Sequence, residues 1–174
     1  KYELHDQYSG NGFQKVSLSA DSPRGGLMTQ ASFLAIGTMG NRTSPVIRGS
    51  LVKEILLNDP PPPPPPNVPE LIASSAEPFP SVRDLVDLHQ QKAQCASCHA
   101  RFDFIGLGLE NFDAVGMWRD QELVTDVEHF RQLANPSAKR KLYPVDASGA
   151  LPNGEKFKDV HGLKAALMKQ ERQV

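Results

Sequence analysis

Apolar residues recur at near-helical spacing in several separate stretches of the chain, with turn-forming residues between them. Pro45 is well placed to open one of these stretches, because proline is tolerated in the first turn of a helix. Ser81 and Asp84 have the spacing of a capping box and mark the start of another. The pattern therefore predicts helices over residues 27–36, 45–57, 159–170, and from residue 81 toward Cys95.

Strands have little support in this pattern. Asn153 and Gly154 favour a tight turn, which predicts a hairpin near residues 148–156. Residues 121–141 are polar and poorly patterned, so we interpret them as a surface excursion with a short helix near residues 127–133. With 15 prolines and 13 glycines in 174 residues, we expect a loop-rich chain that is mainly α.

An uninterrupted run of seven prolines, residues 60–66, divides the chain. Proline has no backbone donor, so the run predicts a polyproline II rod. We interpret the rod as a stiff surface spacer, with a ligand for a proline-binding module as the alternative. The predicted division is an N-terminal elaboration over residues 1–59, a connector over 60–80 and a helical domain over 81–174 with a surface excursion at 120–145.

The charge pattern argues against two classes of partner. The formal net charge is −1 and the basic residues are dispersed, so we expect neither a nucleic acid nor a membrane surface as a partner. No stretch approaches the roughly 18 consecutive apolar residues of a transmembrane helix. The first residues lack the features of a signal peptide, and we expect a mature, trimmed or partial chain.

The clearest chemical signal is the pentapeptide Cys-Ala-Ser-Cys-His at residues 95–99. Two thiols at this spacing can add to the two vinyl groups of one porphyrin, and the adjoining imidazole can then bind the iron. The motif predicts one covalently attached haem c. Cys95 and Cys98 would be the attachment points, and His99 the proximal iron ligand.

Three other uses of the cysteines stay open: a thiol redox pair, a disulfide and a zinc site. A thioredoxin-like pair would need a βαβ context, which the pattern does not predict. Zinc sites with two cysteines and two histidines usually show a closely spaced second pair, and the downstream histidines here lie far apart. The histidines available to such a site are His89, His99, His129 and His161.

The sixth iron ligand is less determined, because thioether and imidazole are both usual. Met39 lies in a glycine-flanked loop that could direct its thioether inward, and we take it as the first candidate for the distal position. Met117 is the alternative, and an open or water-bound iron is a further possibility. The other candidates are Met28, Met168, His89, His129 and His161.

Arg48 and Arg119 are candidates for binding the haem propionates, because a guanidinium binds a carboxylate in bidentate fashion. The alternative for both side chains is an ion pair inside the protein, with Glu110 or Asp113 as the partner. The sequence favours neither interpretation over the other.

Four blocks follow one another along the chain: residues 24–34, residues 43–49 with the proline run, residues 95–106 and residues 109–119. In this order they resemble the C-terminal cytochrome domains of the large multidomain planctomycete-type cytochrome c proteins. Residues 146–154 look like the opening of the domain that normally comes next. The chain departs from the pattern at Phe104, where proline is usual, and at Leu51, where an aromatic residue is usual.

The resemblance implies a covalent haem, export across the cytoplasmic membrane to a periplasmic or other extracytoplasmic location, and a larger parent protein. We expect a mainly α fold, with a small cytochrome c-like helical core around one haem and a loop-rich N-terminal elaboration. The leading hypothesis is single-electron transfer with redox partner proteins or other domains of the parent chain, rather than enzymatic activity. The alternatives are a haem enzyme or sensor whose open distal position binds a small molecule, and a haem-bearing interaction module that uses the proline run.

Overall fold

The computed structural model describes residues 10–39, 42–66, 79–125, 137 and 139–170. Six α-helices and four short strands lie in these ranges, together with a 3-10 turn at Leu27–Thr29 and a π-helical segment at Val52–Leu56. The helices are α1 (Ala31–Ile36), α2 (Pro45–Leu51), α3 (Val82–Gln90), α4 (Ala93–His99), α5 (Asp103–Leu107) and α6 (Val160–Gln170). The strands are β1 (Gln121–Thr125), β2 (Arg140–Pro144), β3 (Gly149–Ala150) and β4 (Lys156–Phe157).

The helices form close to where the apolar spacing predicts them. Pro45 is the first residue of α2, and Ser44 caps that helix by accepting a hydrogen bond from the Ile47 amide. The predicted stretch 27–36 is divided into a 3-10 turn and α1, and α2 continues into the π-helical segment as far as Leu56. The predictions of a capping box at residue 81 and of a final helix are confirmed. None of the described helices is long and apolar enough to cross a bilayer.

Helices α2 and α5 pack closely because a glycine stands at each point of contact. A Cβ added at Gly106 would lie 1.8 Å from the carbonyl oxygen of Pro45. A Cβ added at Gly49 would lie 2.0 Å from the carbonyl oxygen of Phe102. Only glycine permits this approach, and the contact joins the N-terminal part of the chain to the segment that follows the two cysteines.

A single hydrophobic core draws on residues from both sides of the proline run. Leu34 of α1, Leu109 and Phe112 after α5, and Leu163 of α6 are completely buried in it. The predicted N-terminal elaboration thus packs directly on the downstream residues, and the boundaries predicted for the three units stay a prediction. The remaining members are Met28, Phe33, Val52, Ile105, Leu151, Phe157, Val160, Ala166 and Leu167.

The strands form two small antiparallel sheets. β1 pairs with β2 in the register Leu123 opposite Leu142, and β3 pairs with β4 in the register Gly149 opposite Phe157. The second sheet confirms the hairpin predicted around Asn153 and Gly154. The first lies in the stretch that we interpreted as a surface excursion, whose central residues 126–136, with the short helix predicted near 127–133, lie outside the described residues.

The expectation of a mainly α, cytochrome c-like helical core is wrong. The described residues are mixed α and β, with 39% of them helical and 13% in strands or isolated bridges, and they contain no preformed group for a metal. The hydrophobic pattern gave the wrong prediction at β1, because the buried residue of this strand is a polar one. Glu122 is buried, where it accepts a hydrogen bond from the Val82 amide at the start of α3, whereas Leu123 is exposed.

Candidate functional site

Three short helices surround the cysteine motif. Helix α3 begins at a capping box in which Ser81 Oγ accepts a hydrogen bond from the Asp84 amide, and the Asp84 carboxylate accepts one from the Ser81 amide. A turn at Gln91 and Lys92 then separates α3 from α4, which packs against it. The last residues of α3 therefore lie beside the last residue of α4, His99.

Helix α4 carries the two cysteines one turn apart. Residues three apart on a helix lie on the same side of it, so Cys95 and Cys98 share one side of α4. Both are free thiols, not joined in a disulfide, and both are half-buried. The site thus offers two neighbouring thiols that an external group can reach, directly followed by an imidazole.

The His99 imidazole is held by a carboxylate. Its Nδ1 lies 3.0 and 3.2 Å from the two carboxylate oxygens of Asp103, and its side chain is 22% exposed. Asp103 opens α5 and is completely buried; Gln90 Nε2 donates a second hydrogen bond to it, at 3.1 Å. Because Nδ1 faces the carboxylate, Nε2 is the nitrogen left to bind a metal.

Two aromatic rings enclose the same imidazole. The His89 ring meets the His99 ring edge to face, with ring centroids 4.4 Å apart, and the Phe102 ring lies 5.0 Å away. His89 Nε2 is buried and has no hydrogen-bond partner among the residues that the structure describes. Burial lowers the pKa of His89, and the neighbouring His99 lowers it further, so the His89 ring is neutral at physiological pH.

The candidates for the distal position have different surroundings. The side chains of Met39 and Met117 are 53% and 50% exposed, so neither side chain is packed in the core. Met28 is a buried core residue, and Met168 and His161 are exposed on α6. The assignment of Met39 or Met117 as the distal ligand stays a prediction, and His129 lies outside the described residues.

Arg48 and Arg119 converge on one buried carboxylate, Glu110. Arg119 Nη2 lies 2.8 Å from Glu110 Oε2, and Arg48 Nη1 lies 3.4 Å from Oε1. The Thr43 hydroxyl also donates to Glu110 Oε2. Burial raises the pKa of Glu110, although both guanidinium groups act in the opposite direction. We call these four residues the Glu110 network.

Arg48 is the most deeply engaged member of the Glu110 network. It is completely buried, and its Nη1 and Nη2 atoms donate to four backbone carbonyl oxygens as well as to Glu110. These carbonyls belong to Leu34, Leu109, Phe112 and Asp113. The ion pair with Glu110, one of the two alternatives from the sequence, is therefore present for both arginines. Their role toward haem propionates stays a prediction.

A cavity of about 240 Å³ lies between the start of α3 and the β1–β2 sheet. Its charged groups are engaged with one another: Arg83 pairs with Asp146 at 3.2 Å, and Arg119 pairs with Glu110. Glu122 also lines it, and burial raises the pKa of that carboxyl. The charged groups are already paired, and Glu122 already accepts a hydrogen bond from the Val82 amide. The cavity therefore does not indicate a ligand.

Within the described ranges, no three residues among the histidines, cysteines and acids are arranged to hold a metal ion by themselves. The zinc interpretation would need two histidines beside Cys95 and Cys98, and one of its candidates, His129, falls outside these ranges. The proline run, by contrast, is described and largely exposed. Its role as a ligand for a proline-binding module stays a prediction.

A family model matches residues 24–122, which is more than half of the chain. Its description is "PSCyt3: Protein of unknown function (DUF1588)". The chain belongs to the PSCyt3 family. The family name refers to a cytochrome, and the match includes all four blocks that suggested the resemblance. No curated protein and no solved structure matches the chain significantly.

The PSCyt3 match includes residues of the site that the sequence did not single out. Asp103 had a detectable signal, since it is an acid only four residues after His99, close enough for the two side chains to meet across the turn between α4 and α5. Gln90 had none, because its contact with Asp103 depends on the turn between α3 and α4. Phe102 contacts His99 from the turn that follows α4, whose geometry the sequence does not specify. Thr43 lies 67 residues from Glu110 in sequence and could not be paired with it by spacing.

Proposed function

We propose that the chain holds one covalently attached haem c and transfers single electrons outside the cytoplasm, as a module of a larger cytochrome. Cys95 and Cys98 would form the thioether bonds and His99 would bind the iron. The observation that carries the proposal is the hydrogen-bonded His99. Its Nδ1 faces a buried carboxylate, and it directly follows two free thiols on one helix.

The residues fit such a group chemically. Thioether formation needs two accessible thiols, and both cysteines are half-buried rather than enclosed. An iron ligand needs a neutral imidazole with one free nitrogen, and the contact with Asp103 leaves Nε2 of His99 free. When bound, a haem supplies one-electron redox chemistry, with a potential set by its ligands and their surroundings.

Residues of the chain orient the His99 imidazole and shield it from water. Asp103 holds the proton on Nδ1 of His99, and the His89 and Phe102 rings shield one part of the imidazole from water. Shielding from water lowers the local dielectric, which strengthens the hydrogen bond to Asp103. Membership of a family named for a cytochrome supports the proposal. The extracytoplasmic part of the proposal rests on the resemblance to exported cytochromes.

The test is haem attachment in a bacterial host that matures and exports c-type cytochromes. The intact chain should gain the mass of one haem, keep it under denaturing conditions and show the absorption bands of a c-type haem. A variant with Cys95→Ala and Cys98→Ala is the matched control and should keep no covalent haem. Failure of the intact chain to attach haem under these conditions would refute the proposal.

The absorption spectrum of the same sample separates electron transfer from small-molecule chemistry. A low-spin spectrum with the far-red band of thioether ligation supports electron transfer. That band should disappear in Met39→Ala and persist in Met117→Ala if Met39 is the distal ligand, and the reverse result would assign Met117. A high-spin spectrum that changes on adding a small ligand would instead favour an enzyme or a sensor.

A further inference from the structure

The carboxylate of Asp103 lies in a position that costs free energy unless it has a specific partner. The residue is completely buried, and a buried charge is destabilising unless hydrogen bonds satisfy it. In the described part of the chain, the group within ion-pair distance of it is the His99 imidazole. Its other hydrogen-bond donor there is the neutral amide of Gln90.

A local structural role does not account for this carboxylate. Asp103 is the first residue of α5, where an acid often caps the backbone amides, but α5 has no side-chain cap. Both carboxylate oxygens face side chains instead, with His99 Nδ1 near each of them and Gln90 on Oδ2. The geometry is that of a carboxylate directed at one imidazole.

We propose that Asp103 is a positioning residue that fixes the tautomer and ring orientation of His99 and strengthens Nε2 as an electron donor. The inference rests on the proposed function, in which Nε2 binds the haem iron. A carboxylate that accepts the Nδ1 proton raises the basicity of the opposite nitrogen. A more basic ligand stabilises the oxidised iron, so Asp103 lowers the reduction potential.

Gln90 provides a second test of the proposal, because its substitution should shift the reduction potential in the opposite direction. Its amide shares the Asp103 carboxylate with His99 and so withdraws part of the negative charge from the imidazole. Without the Gln90 donor, more of the negative charge of the carboxylate acts on His99. The two substitutions Asp103→Asn and Gln90→Leu therefore change the donor strength of His99 in opposite directions, whereas general loosening of the site would move both in the same direction.

The experiment measures the reduction potential of the full-length haem-loaded protein by spectroelectrochemical titration. Asp103→Asn should raise the potential and Gln90→Leu should lower it, relative to the unsubstituted chain. Asp87→Asn is the matched control, since it removes one negative charge from an exposed position on α3 without touching His99. Its potential should stay close to that of the unsubstituted chain.

Three results would overturn the inference: equal potentials for Asp103→Asn and Asp87→Asn, shifts of the same sign in Asp103→Asn and Gln90→Leu, or absence of haem from the unsubstituted chain. The last result also refutes the proposed function, whereas the first two leave it standing. If Asp103→Asn fails to fold or to load haem, the sign of the Gln90→Leu shift decides the matter. A lower potential supports the inference, and an unchanged or higher one refutes it.

Discussion

Replacement of Arg48 by methionine tests whether the Glu110 network stabilises the protein. The methionine side chain fills much of the space of the arginine stem but donates no hydrogen bond. The substitution removes the charge paired with Glu110 and leaves four backbone carbonyl oxygens, three buried and one partly buried, without this donor. Because Arg48 is completely buried, water does not replace it readily.

The magnitude follows from these contacts. Breaking a buried ion pair by removing one partner costs about 3–5 kcal/mol when the other partner is left unpaired, and we take the lower end of this range because Arg119 still pairs with Glu110. Each buried carbonyl that loses its donor adds on the order of 1 kcal/mol, although the contributions are not additive. We therefore expect Arg48→Met to lower the free energy of unfolding by at least about 4 kcal/mol, out of the roughly 5–15 kcal/mol typical of a domain.

Urea unfolding followed by circular dichroism measures this loss in the protein without haem, so the result does not depend on the proposed cofactor. Arg101→Met is the matched control, because it makes the same chemical change at an exposed position and should alter the unfolding free energy by less than about 0.5 kcal/mol. A loss below about 1 kcal/mol for Arg48→Met, comparable to one ordinary hydrogen bond, would refute the reasoning.

Three further substitutions have defined outcomes in the same unfolding assay. Gly106→Ala places a Cβ 1.8 Å from a backbone carbonyl of α2 and should cost about 1–3 kcal/mol or more. Gly12→Ala should be nearly neutral, because the added Cβ would meet no atom of the described residues within 4 Å. Ser81→Ala removes the cap of α3 and should cost about 1 kcal/mol. Burial raises the pKa of Glu122, so the folded state holds that proton more tightly and the unfolding free energy falls as the pH rises above about 4.5. Glu122→Gln should reduce this fall and Glu54→Gln, at an exposed position, should not; equal pH slopes in the two variants would contradict the assignment.

Local signals predicted most of the helices and the second sheet. The Ser81 and Asp84 capping box, Pro45 at the first position of α2 and the turn at Asn153 and Gly154 each depend on residues close together in sequence. Such features depend on backbone geometry and neighbouring hydrogen bonds, which the sequence displays directly. The prediction of a haem site has the same kind of basis, since five consecutive residues carry the motif.

Contacts across long sequence separations were not readable in this way. The pairing of Gly106 with α2 depends on how two helices cross, and nothing in either segment alone specifies it. Asp103 is an intermediate case. Its spacing from His99 is visible in the sequence, but its complete burial and its second donor, Gln90, become apparent only once α3 turns back on α4.

The positions where the hydrophobic pattern misleads share a physical cause. In α2, Arg48 is completely buried while Ile47 is 36% exposed, and in β1, Glu122 is buried while Leu123 is 59% exposed. In both places the buried polar group binds backbone atoms: Arg48 donates to carbonyls that include those of Leu109 and Phe112, and Glu122 accepts from the first amide of α3. Short helices leave a large share of their backbone groups unpaired at the ends, so a fold built from them needs buried side chains to bind those groups. Hydrophobicity alone assigns such side chains to the surface, as it did for Glu122 in the stretch that we interpreted as a surface excursion.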